Sequence, residues 1–157
     1  MRKCRLLFIE GLFLFVVVMI LYLIFGPVVT ISHAMAKEYP SLAPYRGWIL
    51  MMAWVILAGI GVSAGILFLA VRQISRHTVF QEKTVIFLKG AAKALEVSQI
   101  VAGILILLFL TDGIFSITLI YLIAGLVFSL IVTQTLRLLA DVIREGIIMK
   151  NDLSLTI

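Results

Sequence analysis

The chain has 157 residues, 63% of them hydrophobic and 13% charged. A soluble domain carries about 25% charged residues, so this composition excludes a water-soluble globule and makes the bilayer the solvent. The net charge of +5 comes without an arginine-rich helix or recognition motif, which argues against direct nucleic-acid binding.

A basic cluster, Arg2, Lys3 and Arg5, precedes an apolar run over residues 6–31. At 1.5 Å per residue such a run crosses a hydrocarbon core of about 30 Å. Gly26-Pro27 predicts a kink near its outer end, because proline lacks the N–H that the helix needs. Ala34-Met35-Ala36 fits the small-x-small pattern of a cleavage site. The run is nevertheless longer than the roughly 7–15 residues of a signal-peptide core, which predicts an uncleaved anchor. The single cysteine, Cys4, allows no intrachain disulfide.

Residues 32–47 read as a short outer connection, with Pro40 and Pro44 breaking regular structure. A second span follows over 48–71, with Tyr45 and Trp48 placed for an aromatic belt at the interface. Gly61 and Gly65 form a small-xxx-small pair, which lets another helix backbone come close. Packing within the chain is the favoured use of that pair, and a homo-oligomer remains a second possibility.

Residues 72–93 are the main polar interruption, with Arg72, Arg76, Lys83, Lys89 and Lys93 against Glu82 alone. Thr78 and Gln81 have capping-box spacing, which predicts a helix from about Val79. Val85, Leu88 and Ala92 share one face, so the segment reads as an amphipathic helix leading into the third span, 94–111. Thr111-Asp112-Gly113 reads as a tight turn into the fourth span, 114–136, making the two spans an antiparallel hairpin. Gly125 and Ser129 are a second small-xxx-small pair. The tail, 137–157, begins helical, with Arg137 and Asp141 at an i,i+4 spacing. Its end alternates Leu153, Leu155 and Ile157 with polar residues, a strand-like period.

Counting Lys and Arg near the span ends places eleven on one side and two, Lys37 and Arg46, on the other. The excess marks the cytoplasm. The expected architecture is therefore a single all-α membrane domain over 1–157. It is polytopic, with four transmembrane helices as two antiparallel hairpins in the cell membrane and both termini cytoplasmic.

No residue pattern signals catalysis. His33 and His77 fall on opposite sides of the membrane in this topology, and no metalloprotease, phosphate-loop or serine-nucleophile motif is present. The expectation is a protein that is not an enzyme and needs no cofactor or metal. Glu10, Glu96 and Gln99 are the polar candidates inside spans, where ionisable groups are expensive and seek partners. Glu10 and Glu96 lie near the basic boundary, so pairing with Lys93 or Arg137 is expected rather than transport.

Phe80-Gln81-Glu82-Lys83 through Leu88-Lys89, and Leu139-Ala140-Asp141-Val142-Ile143-Arg144-Glu145-Gly146 followed by Asp152-Leu153-Ser154-Leu155-Thr156-Ile157, resemble the DUF2975 family. In place of that family's usual proline before the loop phenylalanine, this chain has Val79. The resemblance implies a small bacterial or archaeal four-span protein with no established biochemical activity. It also implies a partner, a small helix-turn-helix regulator of the Xre type often encoded beside family members. The expected function is regulatory, binding or sequestering that transcription factor; the alternative is a small transport or channel component. The candidate contact residues are Arg76, Phe80, Lys83, Val85, Leu88, Lys89, Leu153 and Leu155. The end of the tail, 152–157, is expected to pack on the Val85 and Leu88 stripe.

Overall fold

Long apolar runs in a bilayer must satisfy every backbone polar group internally, and helices do so within one segment. The computed structural model describes the backbone of residues 2–76 and 81–155, and side chains within 11–74 and 81–152. Among the described residues all regular structure is helical: α1 (Arg2–Phe25), α2 (Pro27–Glu38), a 3₁₀ helix (Pro40–Tyr45), α3 (Arg46–Arg76), α4 (Glu82–Thr111) and α5 (Ile117–Leu155). Four stretches are long and apolar enough to cross a membrane: Gly11–Glu38, Pro40–Ile74, Glu82–Thr111 and Ile117–Asp152. The chain is a multi-pass membrane protein.

The kink expected at Gly26-Pro27 separates α1 from α2. Pro27 opens α2 as its first residue, where no N–H is required. The Thr30 hydroxyl and backbone N–H both donate to Gly26 O, each at 3.1 Å, and rejoin the chain across the break. The stretch expected as an outer loop is therefore largely helical, through Glu38 and then Pro40–Tyr45. Arg46 ties α2 to the start of α3, donating from Nε to Ser32 Oγ at 3.1 Å and meeting His33 Nε2 at 2.6 Å through Nη2.

The helices stand in a row rather than a closed bundle. Among the described residues α1 packs on α3, α3 on α4 and α4 on α5, with no close backbone approach between α3 and α5 or between α1 and α4. Stacked rings of Phe13 and Phe68, 4.4 Å between centroids, hold α1 on α3. The α3–α4 contact centres on Gly59, where a Cβ would lie 1.9 Å from Ser98 Oγ. The Ser98 hydroxyl is shared between Ile56 O across the interface at 3.3 Å and Ala94 O at 3.4 Å.

Two apolar clusters close the row at its ends. At the end away from the termini, Met35 and Leu42 cover Leu105, Ile106, Phe109, Ile114 and Leu119. At the basic end, Val85, Leu88, Ala91, Ala92 and Leu95 of α4 meet Leu136, Ala140 and Ile143 of α5, with Ile66 and Leu67 of α3.

The expected turn at Asp112-Gly113 is present and has a clear cause. Gly113 has φ +66°, which only glycine adopts freely. The N–H of Gly113 bonds Leu110 O at 3.1 Å and that of Ile114 bonds Phe109 O at 2.9 Å, the Schellman pattern. Its apolar contact explains why Ile114 is buried beside Phe109 instead of opening the fourth helix, which starts at Ile117.

Two expectations are corrected, while the amphipathic segment does lead into the third span, as one continuous helix. The helix expected from Val79 begins at Glu82; Gln81 is its N-cap with extended backbone and no side-chain cap, and Thr78 lies outside the described residues. The strand-like tail is helical to Leu155, because adding a residue to an existing helix gains a hydrogen bond without a new nucleus. A short strand here has no sheet to join.

Candidate functional site

Every fourth residue of a helix falls on nearly the same face, so Ser129, Thr133, Arg137 and Asp141 form a polar stripe down α5. Opposite them on α4 stand Lys89, Glu96 and Gln99. Gln99 Nε2 donates to Thr133 Oγ1 at 2.7 Å and to Ser129 Oγ at 3.0 Å. One step toward the basic end, Arg137 Nη2 donates to Glu96 Oε1. One step further, Lys89 Nζ lies 3.3 Å from Asp141 Oδ1. The result is a polar seam between α4 and α5 in which charge increases toward the basic end.

Its depth follows from the helical rise. Gln99 lies about 18 Å along α4 from Thr111, Glu96 about 22 Å and Lys89 about 33 Å. Against a hydrocarbon core of about 30 Å, the neutral amide is deep, the Arg137–Glu96 pair is in the basic half, and Lys89 is at the boundary. That order matches cost. A charge in hydrocarbon is expensive unless it is paired, while an amide needs only hydrogen bonds.

Two cavities flank the seam. The first, of about 220 Å³, lies in the angle between α3 and α5, walled by Ile60, Ala102, Leu122 and Gly125 and reached by Ser98, Gln99 and Ser129. It sits between the two apolar clusters, where α3 and α5 stand apart over the buried Ser98 and Ala102 of α4. The second, of about 290 Å³, is at the basic end, lined by Lys89, Ala92, Lys93, Glu96, Arg137 and Asp141. Among the described residues no group of three His, Cys, Asp or Glu side chains is placed to hold a metal ion.

The sequence candidates fare unequally. Glu96 meets Arg137 and Gln99 meets Ser129, two partnerships of the kind expected inside a membrane. Arg137 meets Glu96 as expected, and Asp141, at an i,i+4 spacing from Arg137, pairs across to Lys89 of α4 rather than along α5. Val85 and Leu88 are buried in the basic-end cluster, covered by α5. They offer no surface to a partner or to the end of the tail, because the first part of the tail, helical in continuation of the fourth span, already occupies that stripe. Lys83 and Lys89 are exposed. Arg76 ends α3 and Leu153 and Leu155 belong to α5, with side chains outside the described set; Phe80 lies wholly outside it, and Glu10 is described only as part of α1.

Of the small residues, Gly61 lies under Ile20 of α1, where a Cβ would be 3.6 Å from Cδ1; Gly65 and Gly125 face open space. The glycine that close packing requires is Gly59, which the small-xxx-small pairs did not pick out. Thr133 and Asp141 were also missed as seam residues, although their four-residue spacing with Ser129 and Arg137 is visible in the sequence.

The model of the family described as protein of unknown function (DUF2975) matches residues 30–157. The chain belongs to the DUF2975 family. That match covers α3, α4, α5 and all of α2 except its first turn, so the α4–α5 seam is carried by the DUF2975 region of the chain. Neither the curated proteins nor the solved structures include a match to it.

Proposed function

We propose that this DUF2975 protein is a non-enzymatic component of the cell membrane, with both termini cytoplasmic, that binds a small soluble helix-turn-helix regulator at its basic end. The observation that supports this reading is the length of α5. Its 39 residues extend about 58 Å, nearly twice a hydrocarbon core of about 30 Å. Val142 lies about 38 Å and Met149 about 48 Å from the start of α5, on one outward face and each more than half exposed. Met149 stands beyond a bilayer of about 40–45 Å even with its headgroups, and large apolar side chains held out in water are a mark of a protein-binding surface.

The asymmetry of Lys and Arg supports the cytoplasmic assignment of that end, and the Xre-type identity of the partner rests on the family resemblance. Holding such a regulator at the membrane would keep it from DNA, so release would be the regulated step. The test is co-purification of the full chain with the helix-turn-helix protein from the neighbouring reading frame. Val142→Asp with Met149→Asp should abolish capture while leaving a monodisperse protein of unchanged melting temperature. Undiminished capture by that folded variant overturns the reading.

The second reading, a small transport or channel component, draws on the deep cavity beside Gln99. It predicts solute or ion flux in proteoliposomes that Gln99→Leu abolishes; wild-type vesicles no leakier than empty ones reject it.

A further inference from the structure

The charged cavity at the basic end is built from two helices that leave the bilayer side by side. Three cations, Lys89, Lys93 and Arg137, face two carboxylates, Glu96 and Asp141. Both carboxylates are engaged, Asp141 by Lys89 and Glu96 by Arg137. Lys93 has no ion-pair partner among the described residues. Only Nη2 of Arg137 is committed to Glu96, so its Nε and Nη1 keep N–H donors for another acceptor. The floor between these groups is Ala92, whose single methyl keeps the groove open. The cavity thus carries one positive charge in excess, with donors from both helices.

Directly beneath it, toward the membrane interior, the same faces turn apolar. Ile100, Ile104 and Leu107 follow Lys93 and Glu96 on the exposed side of α4, and Leu130 and Ile123 follow Arg137 on α5. A charged groove at the boundary of the bilayer that continues into exposed apolar faces has the polarity of one lipid molecule. Basic pockets between transmembrane helices are a recurrent way to hold anionic headgroups.

We infer that the α4–α5 groove is a binding site for an anionic phospholipid. Its phosphate is held by Lys93 and the spare Arg137 donors, and one acyl chain lies along Ile100, Ile104 and Leu107. A zwitterionic lipid brings an ammonium group that offsets its phosphate and is repelled by the excess positive charge; an anionic lipid does not. Free phosphate lacks the chain that lies along the apolar faces.

The probe is phosphatidylglycerol, offered to the full chain purified in neutral detergent and scored by retained lipid in native mass spectrometry and by melting temperature. Phosphatidylcholine and inorganic phosphate are the comparisons. Phosphatidylglycerol should be retained more strongly than phosphatidylcholine and should raise the melting temperature; millimolar inorganic phosphate should not. Lys93→Gln should weaken retention by about fivefold, the effect of one cation near a headgroup. Lys150→Gln, an equal change of net charge farther along α5, should leave it unchanged. Equal retention of the two lipids overturns the site, as does an equal loss in the two variants, which would mean only that net charge matters. Stabilisation by phosphate matching that by phosphatidylglycerol overturns the lipid assignment. Ile104→Ala, exposed and clear of the ion pairs, should lower retention at unchanged net charge; if it does not, the acyl-chain placement is wrong.

Discussion

Gly59 of α3 faces Ser98 of α4 so closely that a Cβ on the glycine would sit 1.9 Å from the serine Oγ and 3.2 Å from Ala94 O. In lipid the hydrophobic effect does not drive helices together, so close backbone approach and interhelical hydrogen bonds must do it. Gly59→Ala should destabilise the protein by about 1–3 kcal/mol, the usual cost of overpacking. Adding Ser98→Ala should recover part of that loss, since the two sites are in contact. Gly65→Ala and Gly125→Ala, into open space, should be close to neutral. Unfolding in a denaturing-detergent titration measures all of them, and equal losses at Gly59 and Gly65 would remove Gly59 from its role.

The Arg137–Glu96 pair should behave as a unit. Arg137→Gln leaves a carboxylate unpaired in the basic half of the membrane. It should cost about 1–2 kcal/mol, less than for a fully buried pair because both side chains are partly exposed. Glu96→Gln with Arg137→Gln should lose less than Arg137→Gln alone. Additive losses in the double-mutant cycle would show that the two groups do not interact.

At Gly113 the positive φ predicts an ordered series. Gly113→Asn should be tolerated and Gly113→Ala should cost about 1 kcal/mol, with Gly113→Val worse, because branching at Cβ adds to the left-handed penalty. Thermal melting of the purified variants checks this order. A valine variant as stable as wild type would mean that the turn relaxes to another geometry.

The sidedness inferred from basic residues has a direct measurement. In a Cys4→Ser background, cysteines at Ser41 or Asp112 should react with an impermeant maleimide in intact cells. Cysteines at Glu82 or Lys150 should react only after lysis. Labelling of all four in intact cells would reject the arrangement.

The extended ridge on α5 gives a second kind of expectation. Truncation after Leu139 removes Ala140, Ile143 and Ile147 from the basic-end cluster, where they cover Val85 and Leu88. Each large apolar side chain re-exposed to water there costs about 1.5–3 kcal/mol, so this end of α4 should become protease-sensitive while the span itself still inserts. Unchanged cleavage of residues 82–92 would mean that α5 does not protect them.

Helical class, span number and the hairpin turn were legible in the residues because each depends on local properties. Apolar length decides whether a segment crosses hydrocarbon, Gly26-Pro27 must break the ladder it interrupts, and Gly113 supplies a conformation that few other residues adopt. The prospect of a partner for Glu96 was legible too, from the cost of a lone charge in a span. What tertiary structure alone decided is which surfaces meet. Val85 and Leu88 look like a free stripe in sequence, yet α5 covers them, because a helix already formed through the fourth span propagates into the tail. Gly61 and Gly65 have the small-xxx-small spacing, but the close contact falls on Gly59, since the rotation of α3 against α4 is set by packing of both helices. Gln99 and Ser129 are thirty residues apart and meet only because the Asp112-Gly113 turn fixes the register of α4 against α5. Local chemistry dictates which segments become helices; their mutual rotation and register are collective properties of packing that no single segment encodes.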